Sequence, residues 1–507
     1  MSSRSSSQLL LKNGLVLIHD SQNHVVPTRA DVLIEGGTIT KIGSGFEATE
    51  GAEVVDCTDK IVSPGFVDTH HHGWQTQLKG RHANEQLLQY MVTGNMQSFQ
   101  FSPEDVFYGQ LAGMLEGVAA GTTTVVDHAH ITYSPDHAKL AIAATSTSGI
   151  RSVFCYTPIM RVKDMNPMSY HPNPLEDWVM RTFDELADQG PFGAGRVTLG
   201  FAFDLFFLPP ETIKTLFARV KDKGVKTITN HGSVSLGNIV HSLKSLDLLD
   251  ESIIISHGGD IKAADAELIK AAGAHLSSTP SSELQMAMGR PYCFDSSFVD
   301  GGVHGHSIGL QDNASLGVDC HTITGGSILT EARLGLQNAR NTFNEYHLKQ
   351  GKLPRTIPQS LSVEAAFNLA TVKGAEAVNM SKEIGRIAEG YKADIVVFDG
   401  LSPSMVGAAQ HDPVAAVILH STPADIETVI IDGIIRKQNG KLLTVTVDAA
   451  AQGTTGDESL SWAAVAKKVV ESRAQMQGEM NKIDFEKVSA ALLKLFHFDE
   501  SRLVDVA

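Results

Sequence analysis

The chain has 507 residues, of which 42% are hydrophobic and 19% charged, and it includes 45 glycines. This composition excludes a disordered chain and allows a barrel-sized core with an accessory domain. The formal net charge of −16, with no lysine- or arginine-rich run to offset it, argues against nucleic acid as a partner.

Membrane and secretory signals are not evident in the sequence. Residues 1–7 are serine-rich and lack an apolar signal-peptide core, and no stretch reaches the roughly 18 to 20 apolar residues that span a bilayer. We therefore expect a cytoplasmic location and no membrane partner. The cysteines are widely spaced, which indicates reduced thiols rather than disulfides. They are Cys57, Cys155, Cys293 and Cys320.

Short β patterns separated by turn signals fill the beginning of the chain. They cover residues 9–16, 31–35, 38–42 and 52–57. Such patterns predict small antiparallel β structure. We assign residues 1–62 to the N-terminal part of a β-sandwich domain, because this segment alone is too small to bury a good core.

Residues 63–380 have a different texture, in which apolar strand-like runs are followed by amphipathic helical stretches. This alternation predicts an α/β fold, a distorted (β/α)8 TIM-type barrel. The strand-like runs include residues 122–127, 152–155, 197–203, 225–230, 253–256 and 274–277.

The β texture returns near the C-terminus, in residues 393–398, 416–420 and 428–432. We assign residues 381–446 to the C-terminal part of the β-sandwich domain, which is therefore discontinuous. Residues 447–507 are predicted to be a linker, including 449–455, followed by a helical tail.

A cluster of histidines ends the first apolar run of the middle segment. Residues 62–67 are strand-like, and His70, His71 and His72 follow shortly after them. Because side chains alternate along a strand, His70 and His72 point to the same side and His71 to the other. Two imidazoles so placed can supply two adjacent positions around a divalent ion such as Zn²⁺. A histidine-rich surface turn is the alternative interpretation.

Three more polar residues stand where apolar strands end. They are His231, His257 and Asp319. The chemistry of a parallel barrel lies at the C-terminal ends of its strands, so these side chains are expected near His70 and His72. Each alone could be a capped structural residue, but the set as a whole favours metal ligation.

Several motifs resemble those of the amidohydrolase superfamily, especially the branch with cytosine deaminase, guanine deaminase and the triazine chlorohydrolases. Residues 64–72, 121–128 and 316–319 resemble the first-, second- and eighth-strand signatures. Residues 364–371 and 384–399 are similar to the segment that returns to the β domain. The resemblance covers nearly the whole chain. It implies that His257 lies beside the metal water and that the direct ligands are His70, His72, His231 and Asp319.

The predicted number of metal ions depends on whether the fourth strand carries a residue that could bridge two ions. Binuclear relatives bridge two ions with a carboxylated lysine or a glutamate on the fourth strand, and residues 197–208 contain neither. We therefore expect one divalent ion per chain, with Zn²⁺ first and Fe²⁺ as the alternative.

The predicted reaction is hydrolysis by metal-activated water. Asp319 is placed to take the water proton and pass it to the leaving group, while His257 holds the nucleophile or polarises the target carbon. We expect a metal-dependent hydrolase that cleaves a C–N bond in a small cyclic or aromatic substrate. The bond belongs to an amide, a lactam or an amino-substituted heteroaromatic ring.

One departure from the family pattern bears on the substrate. Deaminases of this branch usually carry a glutamate three residues after the fifth-strand histidine, whereas Val234 stands three residues after His231. This favours amide hydrolysis. It leaves open a deaminase of an N-heterocycle with a non-standard proton shuttle, a metal-dependent lyase or cyclase, and a non-catalytic binding protein. Histidines in strand-end loops are either shuttles or structural residues, namely His128, His130, His304, His306 and His321.

Substrate contacts are assigned to four residues. Trp74 and Gln75 follow the histidine cluster and are expected to project into the mouth, where an indole could stack and an amide could form a hydrogen bond. Asp204 either faces the pocket or caps a loop. His257 is expected to contact the substrate as well as the metal-activated water. Because side chains alternate along a strand, we expect Cys320, next to Asp319, to point away from the site. We expect a small-molecule substrate and, by analogy only, a homo-oligomer.

Overall fold

The computed structural model describes residues 8–232, 238–259, 261–294, 309–495, 498 and 500–504. Two large sheets organise these residues, one from the middle of the chain and one from both of its ends. The strands in chain order are β1 (Gln8–His19), β2 (Val25–Glu35), β3 (Thr38–Gly43), β4 (Glu53–Asp56), β5 (Lys60–Pro64), β6 (Phe66–His71), β7 (Thr122–Ala129), β8 (Arg151–Tyr156), β9 (Val162–Met165), β10 (Met168–Tyr170), β11 (Val197–Ala202), β12 (Ile228–His231), β13 (Ile253–Ser256), β14 (His275–Ser278), β15 (Ala314–Leu316), β16 (Ile395–Asp399), β17 (Ile426–Ile431), β18 (Ile434–Gln438), β19 (Lys441–Leu442), β20 (Val445–Thr446) and β21 (Ser459–Leu460).

Eight parallel strands form the barrel, in the order β6-β7-β8-β11-β12-β13-β14-β15. A parallel bridge between His71 and Asp319 joins the last strand to the first. In this seam the Asp319 amide donates to the His70 carbonyl at 2.8 Å, and the His72 amide donates to the Asp319 carbonyl at 3.2 Å. The residues predicted to bind metal therefore also close the barrel, and the predicted fold class is confirmed.

The terminal sheet has nine strands, in the order β19-β18-β17-β16-β5-β1-β2-β3, with β4 paired to β1. Strand β5 lies between the two chain ends, because it pairs with β1 on one side and with β16 on the other. Gly65 then leads directly into the barrel. A Cβ atom there would lie 2.1 Å from the Thr123 hydroxyl oxygen, so the transition between the sheets requires glycine.

Helices cover the barrel and form the tail. The first group is α1 (Leu87–Thr93), α2 (Pro103–Ala119), α3 (Pro135–Ser148), α4 (Asp177–Gln189), α5 (Pro210–Asp222), α6 (Ile239–Ser245), α7 (Ala263–Ala272), α8 (Pro280–Gln285), α9 (Ile328–Leu348), α10 (Val363–Ala370) and α11 (Val372–Ala377). The second group is α12 (Ala408–His411), α13 (Pro413–Ala415), α14 (Ala449–Thr455), α15 (Trp462–Met480) and α16 (Phe485–Leu495). None of these helices is long and apolar enough to cross a membrane.

Two predicted segments adopt other structures. Residues 416–420, expected to be a strand, continue helically from α13, because the Asp412 carboxylate caps the amides of Val414 and Ala415 at 3.0 Å. A short buried apolar run is compatible with a helix and with a strand. The Asp412 cap at its start therefore favours the helix. Residues 449–455, expected to be a linker, form α14, whose first turn is capped by Asp448.

Candidate active site

Five side chains from four barrel strands converge at one end of the barrel. His70 lies near the end of β6 and His72 directly follows it, His231 ends β12, His257 follows β13, and Asp319 follows β15. The Oδ1 atom of Asp319 lies 3.0 Å from Nε2 of His72, 3.2 Å from Nε2 of His70 and 3.9 Å from Nε2 of His257. The Nε2 atoms of His231 and His72 are 3.4 Å apart. The structure thus brings together all five predicted residues.

The second ring nitrogen of each imidazole is engaged by a neighbour outside this centre. Such outer contacts orient metal-binding histidines and leave Nε2 free for the ion. The Nδ1 contacts are Ser256 Oγ at 2.8 Å for His70, the His128 carbonyl at 2.8 Å for His72, Asp204 Oδ2 at 2.8 Å for His231 and Thr279 Oγ1 at 2.7 Å for His257.

The centre fits a divalent cation chemically. Nε2 of His70 is buried without a hydrogen-bond partner, although the neighbouring side chains are polar. Burial lowers the pKa of His70 well below its usual value and that of His257 to about 4, so both rings are neutral. Burial alone would raise the pKa of Asp319, but the neighbouring His257, His70 and His72 rings hold it well below its usual range. For His231, burial lowers the pKa but the Asp204 carboxylate raises it above its usual value. The neutral rings of His70 and His257 and the ionised Asp319 carboxylate are the forms that bind metal.

Two residues of the centre have left-handed backbone conformations. His257 has a φ of 65° and Asp319 a φ of 64°, a region that non-glycine residues rarely adopt. The Asp319 conformation is held by the hydrogen bonds that close the barrel. Such strain collects at functional sites because the surrounding fold overrides local preference.

His71 points away from the centre, as alternation predicts. Its Nδ1 lies 2.8 Å from Asp68 Oδ2, and its Nε2 lies 2.8 Å from Nδ1 of His321. Although burial lowers the pKa of His71, the Asp68 carboxylate raises it above its usual value. Asp68 also accepts hydrogen bonds from the amides of His70 and Val318, so this pair supports the backbone that carries the ligands.

A cavity of about 290 Å³ opens above the five residues. Its floor includes His72, Asp204, His231, His257 and Asp319. Its wall is mainly apolar and contains several methionines. The wall residues include Leu87, Met91, Met96, Met160, Met286, Met288 and Leu492.

The four predicted substrate contacts differ in position. Asp204 and His257 line the cavity, and Asp204 also accepts hydrogen bonds from the His231 amide and ring. Trp74 and Gln75 are fully buried behind the wall, so the expectation that they project into the mouth was wrong. The reason is a short 3₁₀ helix, Gly73–Leu78, that turns the chain inward directly after His72.

Trp74 and Gln75 instead support residues that do line the cavity. The Trp74 indole donates to Nδ1 of His130 at 3.1 Å, and the Gln75 amide donates to the Tyr90 hydroxyl at 2.8 Å. The His130 ring in turn packs on His72, with ring centroids 3.9 Å apart.

Sequence reasoning left His128 and His130 undecided, and the structure places both at the site. Nε2 of His128 lies 3.2 Å from Asp204 Oδ2, and burial lowers the pKa of His128 to about 3. The position of His128 near the end of a strand was the available signal, since the histidines predicted to bind metal have the same position. Val234, His304 and His306, which also entered the sequence argument, lie outside the described residues.

Comparison with known proteins defines the class. Residues 61–443 match the model of the Amidohydrolase family, so the chain belongs to that family. It is 26% identical to a 5-methylthioadenosine/S-adenosylhomocysteine deaminase of Acetivibrio thermocellus, over 86% of this chain and 95% of the relative. It is also 26% identical to a 5′-deoxyadenosine deaminase of Methanosphaera stadtmanae, over 83% of this chain and 93% of the relative.

Solved structures of the same fold are also similar. An adenosine deaminase from Xanthomonas campestris with bound zinc aligns with a TM-score of 0.73 and 18% identity, over 93% of this chain and 99% of that one. An atrazine chlorohydrolase from Arthrobacter aurescens complexed with zinc aligns with a TM-score of 0.71 and 17% identity, over 92% and 100%. The chain is therefore a metal-dependent hydrolase of this family, acting on carbon–nitrogen bonds other than peptide bonds.

Proposed function

We propose that this enzyme removes an exocyclic amino group from a small N-heterocyclic substrate, using one Zn²⁺ ion. The observation that carries the proposal is the convergence of four Nε2 atoms and one carboxylate oxygen at the floor of a largely apolar cavity. The deaminase relatives support the choice of substrate, since they act on adenine nucleosides.

The ion would be held by His70, His72, His231 and Asp319, with His257 beside it. This set offers three imidazole nitrogens and one carboxylate oxygen, a combination that suits Zn²⁺ and also Fe²⁺. A divalent ion in such surroundings lowers the pKa of water from about 16 to about 7 and so supplies a nucleophile at neutral pH.

Asp319 and His257 would handle the proton and the ring. The ionised Asp319 carboxylate accepts the water proton and returns it to the departing nitrogen, which leaves as ammonia. If the Thr279 hydroxyl donates to Nδ1 of His257, the neutral imidazole carries its proton on Nε2, on the side of Asp319. From this position, the Nε2–H group of His257 can donate a hydrogen bond to the substrate while water adds to the ring carbon.

Amide or lactam hydrolysis is the second candidate function. It is favoured by Val234, which cannot transfer a proton where related deaminases carry a glutamate. An amide needs one proton delivery to its leaving nitrogen, and Asp319 alone suffices for that step.

Ammonia release tests the proposal directly. The protein is stripped with a chelator, reloaded with Zn²⁺ and assayed with adenosine, 5′-deoxyadenosine and 5′-methylthioadenosine, while bound metal is counted by elemental analysis. We expect about one ion per chain and turnover of at least one nucleoside. Asp319→Asn should lower kcat by about 10²- to 10⁴-fold, because it removes both a ligand and the base.

The matched control is Asp312→Asn, since the Asp312 side chain is 94% exposed and is not among the residues that line the cavity. It should leave activity unchanged. Turnover of amides or lactams without ammonia release from any heteroaromatic amine would replace the proposal by the second candidate. A protein that binds no metal after reloading would overturn both.

A further inference from the structure

The C-terminal tail contributes directly to the cavity. Leu492 of α16 and Phe498 line it together with barrel residues, although both lie far along the chain from the metal centre. Among the described lining residues they are the only ones that follow Asp319. The outer part of the cavity is thus completed by a segment outside the barrel.

Helix α16 is docked on the mouth of the barrel by one apolar face. Val488 and Leu492, one helical turn apart, are 1% and 3% exposed. They pack in a cluster with Met96 and Val162, which line the cavity, and with Val92 of α1. Because Leu492 belongs both to this cluster and to the cavity lining, the docking of the helix and the shape of the cavity are linked.

The preceding helix α15 is tied to the segment that follows His72. Arg473 Nη1 donates to the carbonyls of Gln77 at 2.5 Å and Lys79 at 3.1 Å. The Ser472 hydroxyl donates to Asp105 Oδ1 at 2.6 Å, and the Gln77 amide donates to Ser472 at 3.2 Å. These bonds anchor the tail to the same stretch of chain that carries a predicted metal ligand.

The chemistry of the cavity limits what can occupy its outer part. The ionisable side chains that can carry charge near neutral pH lie at the floor, and the described lining residues include no lysine, arginine or glutamate. Methionine side chains adapt to varied apolar shapes without offering a charge partner. A phosphate or carboxylate on the substrate would find no counter-charge among the described residues of the outer cavity.

We propose that Leu492 and Phe498 are specificity-determining residues, which contact an uncharged apolar substituent on the heterocyclic substrate. This inference rests on the proposed function for the reacting ring, which occupies the floor. The substrate class is therefore a heteroaromatic amine with an apolar group on the side away from the amino group, such as a thioether-bearing nucleoside rather than a nucleotide.

Paired substrates test the inference in the metal-loaded full-length enzyme. Adenosine and 5′-methylthioadenosine share the reacting ring and differ in one hydroxyl or thioether group. Leu492→Ala should lower the ratio of kcat/KM for 5′-methylthioadenosine to kcat/KM for adenosine at least about fivefold, because the apolar contacts with the thioether group are lost. The control Leu495→Ala changes a 51% exposed residue of the same helix and should leave this ratio unchanged. Equal effects on both substrates, or none, would overturn the inference while leaving the proposed function intact.

A binding measurement decides the inference even if neither nucleoside is deaminated, an outcome that would contradict only the proposed function. Fluorescence titration with the uncharged probe N-phenyl-1-naphthylamine compares the wild type with Leu492→Asp and Leu495→Asp. We expect at least about a tenfold higher Kd for Leu492→Asp and an unchanged Kd for Leu495→Asp. If Leu492→Asp does not fold, Leu492→Ala replaces it, with an expected rise of at least about threefold. Equal Kd values for the position-492 variant and the wild type would overturn the inference.

Discussion

Individual residues around the metal centre act in pairs. Each of the four histidines is held through Nδ1 by a further residue, such as Ser256 for His70 or Thr279 for His257. Asp204 is the charged member of this outer set, and it engages both the amide and the ring of His231. Such neighbours set the tautomer and orientation of a ligand, so they affect metal affinity without contacting the ion.

Glu283 is a buried carboxyl near this outer set, and it predicts a pH dependence of stability. Its oxygens accept hydrogen bonds from Ser278 Oγ at 2.7 Å and the Thr279 amide at 3.0 Å. Burial raises its pKa from 4.5 to about 8 despite these bonds. The folded protein therefore holds a proton that the unfolded chain has released between these two values. The free energy of unfolding falls as pH rises through this window, by up to about 1.4 kcal/mol per pH unit for one proton.

The substitution Glu283→Gln should remove this contribution, because an amide can keep neutral hydrogen bonds at every pH. We expect the difference in unfolding free energy between variant and wild type to grow in favour of the variant from pH 5 to pH 8, as measured by urea denaturation. Glu211→Gln, at a side chain that is 88% exposed, serves as the control and should give a constant difference. A constant difference for Glu283→Gln as well would show that this carboxyl titrates normally.

At the scale of elements, the barrel seam unites the fold with the site. Strands β6 and β15 meet through the Thr69 hydroxyl, which lies 2.7 Å from Ser277 Oγ and 2.8 Å from Ser315 Oγ. Gly317 lies at the same seam. A Cβ atom at this glycine would lie 2.8 Å from Cβ and O of His70 and from Ser277 Oγ.

Gly317→Ala should therefore displace His70 and weaken metal binding by about tenfold or more, with a loss of about 1–3 kcal/mol in unfolding free energy. Competition with a chromogenic chelator measures the first quantity and urea denaturation the second. Gly478→Ala is the matched control, because no atom lies within 4 Å of its added Cβ in helix α15. It should leave metal affinity unchanged and add up to about 1 kcal/mol of stability. Unchanged metal affinity in Gly317→Ala would mean that the seam can relax around a methyl group.

The elements also explain what the sequence could and could not predict. The ligand-bearing strand ends were predictable, because an apolar run followed by a polar residue marks the same edge of every parallel strand. The inward turn of Trp74 was not, since residues 73–78 have no distinctive helix signal. The proposed substrate contact of Leu492 was also not predictable, because the sequence pattern of an amphipathic helix indicates only that its apolar residues are packed against the protein. Long-range docking of the tail depends on contacts that local patterns do not encode.

On the scale of the whole molecule, the two ends of the barrel have different covers. The tail packs at the end where the metal centre lies. The terminal sheet packs at the opposite end, where Gly65 donates from its amide to the Asp394 carbonyl at 2.9 Å. Arg151, the first residue of β8, also meets Asp394 there. The terminal sheet and the C-terminal helices thus lie at opposite ends of one barrel.

The buried pair of Arg151 and Asp394 joins the barrel to the terminal sheet. Nε and Nη2 of Arg151 donate to the two carboxylate oxygens at 2.8 and 3.1 Å, and the Asp432 amide adds a bond of 2.7 Å to Asp394. Because the side chains are 7% and 2% exposed, removing Arg151 leaves the buried Asp394 carboxylate without its guanidinium partner. Breaking such a pair costs about 3–5 kcal/mol.

Arg151→Met should therefore lower the unfolding free energy by several kilocalories per mole, and Arg151→Met with Asp394→Leu should restore part of it, because both charges are then gone. Zn²⁺ affinity of the folded protein should be unchanged, since the pair lies at the opposite end of the strands from the metal centre. The control Lys349→Met removes a 77% exposed partner of Glu345 and should cost less than about 0.5 kcal/mol. If Arg151→Met cost no more than this control, the pair would not hold the two sheets together, and packing across the Gly65 junction would be sufficient.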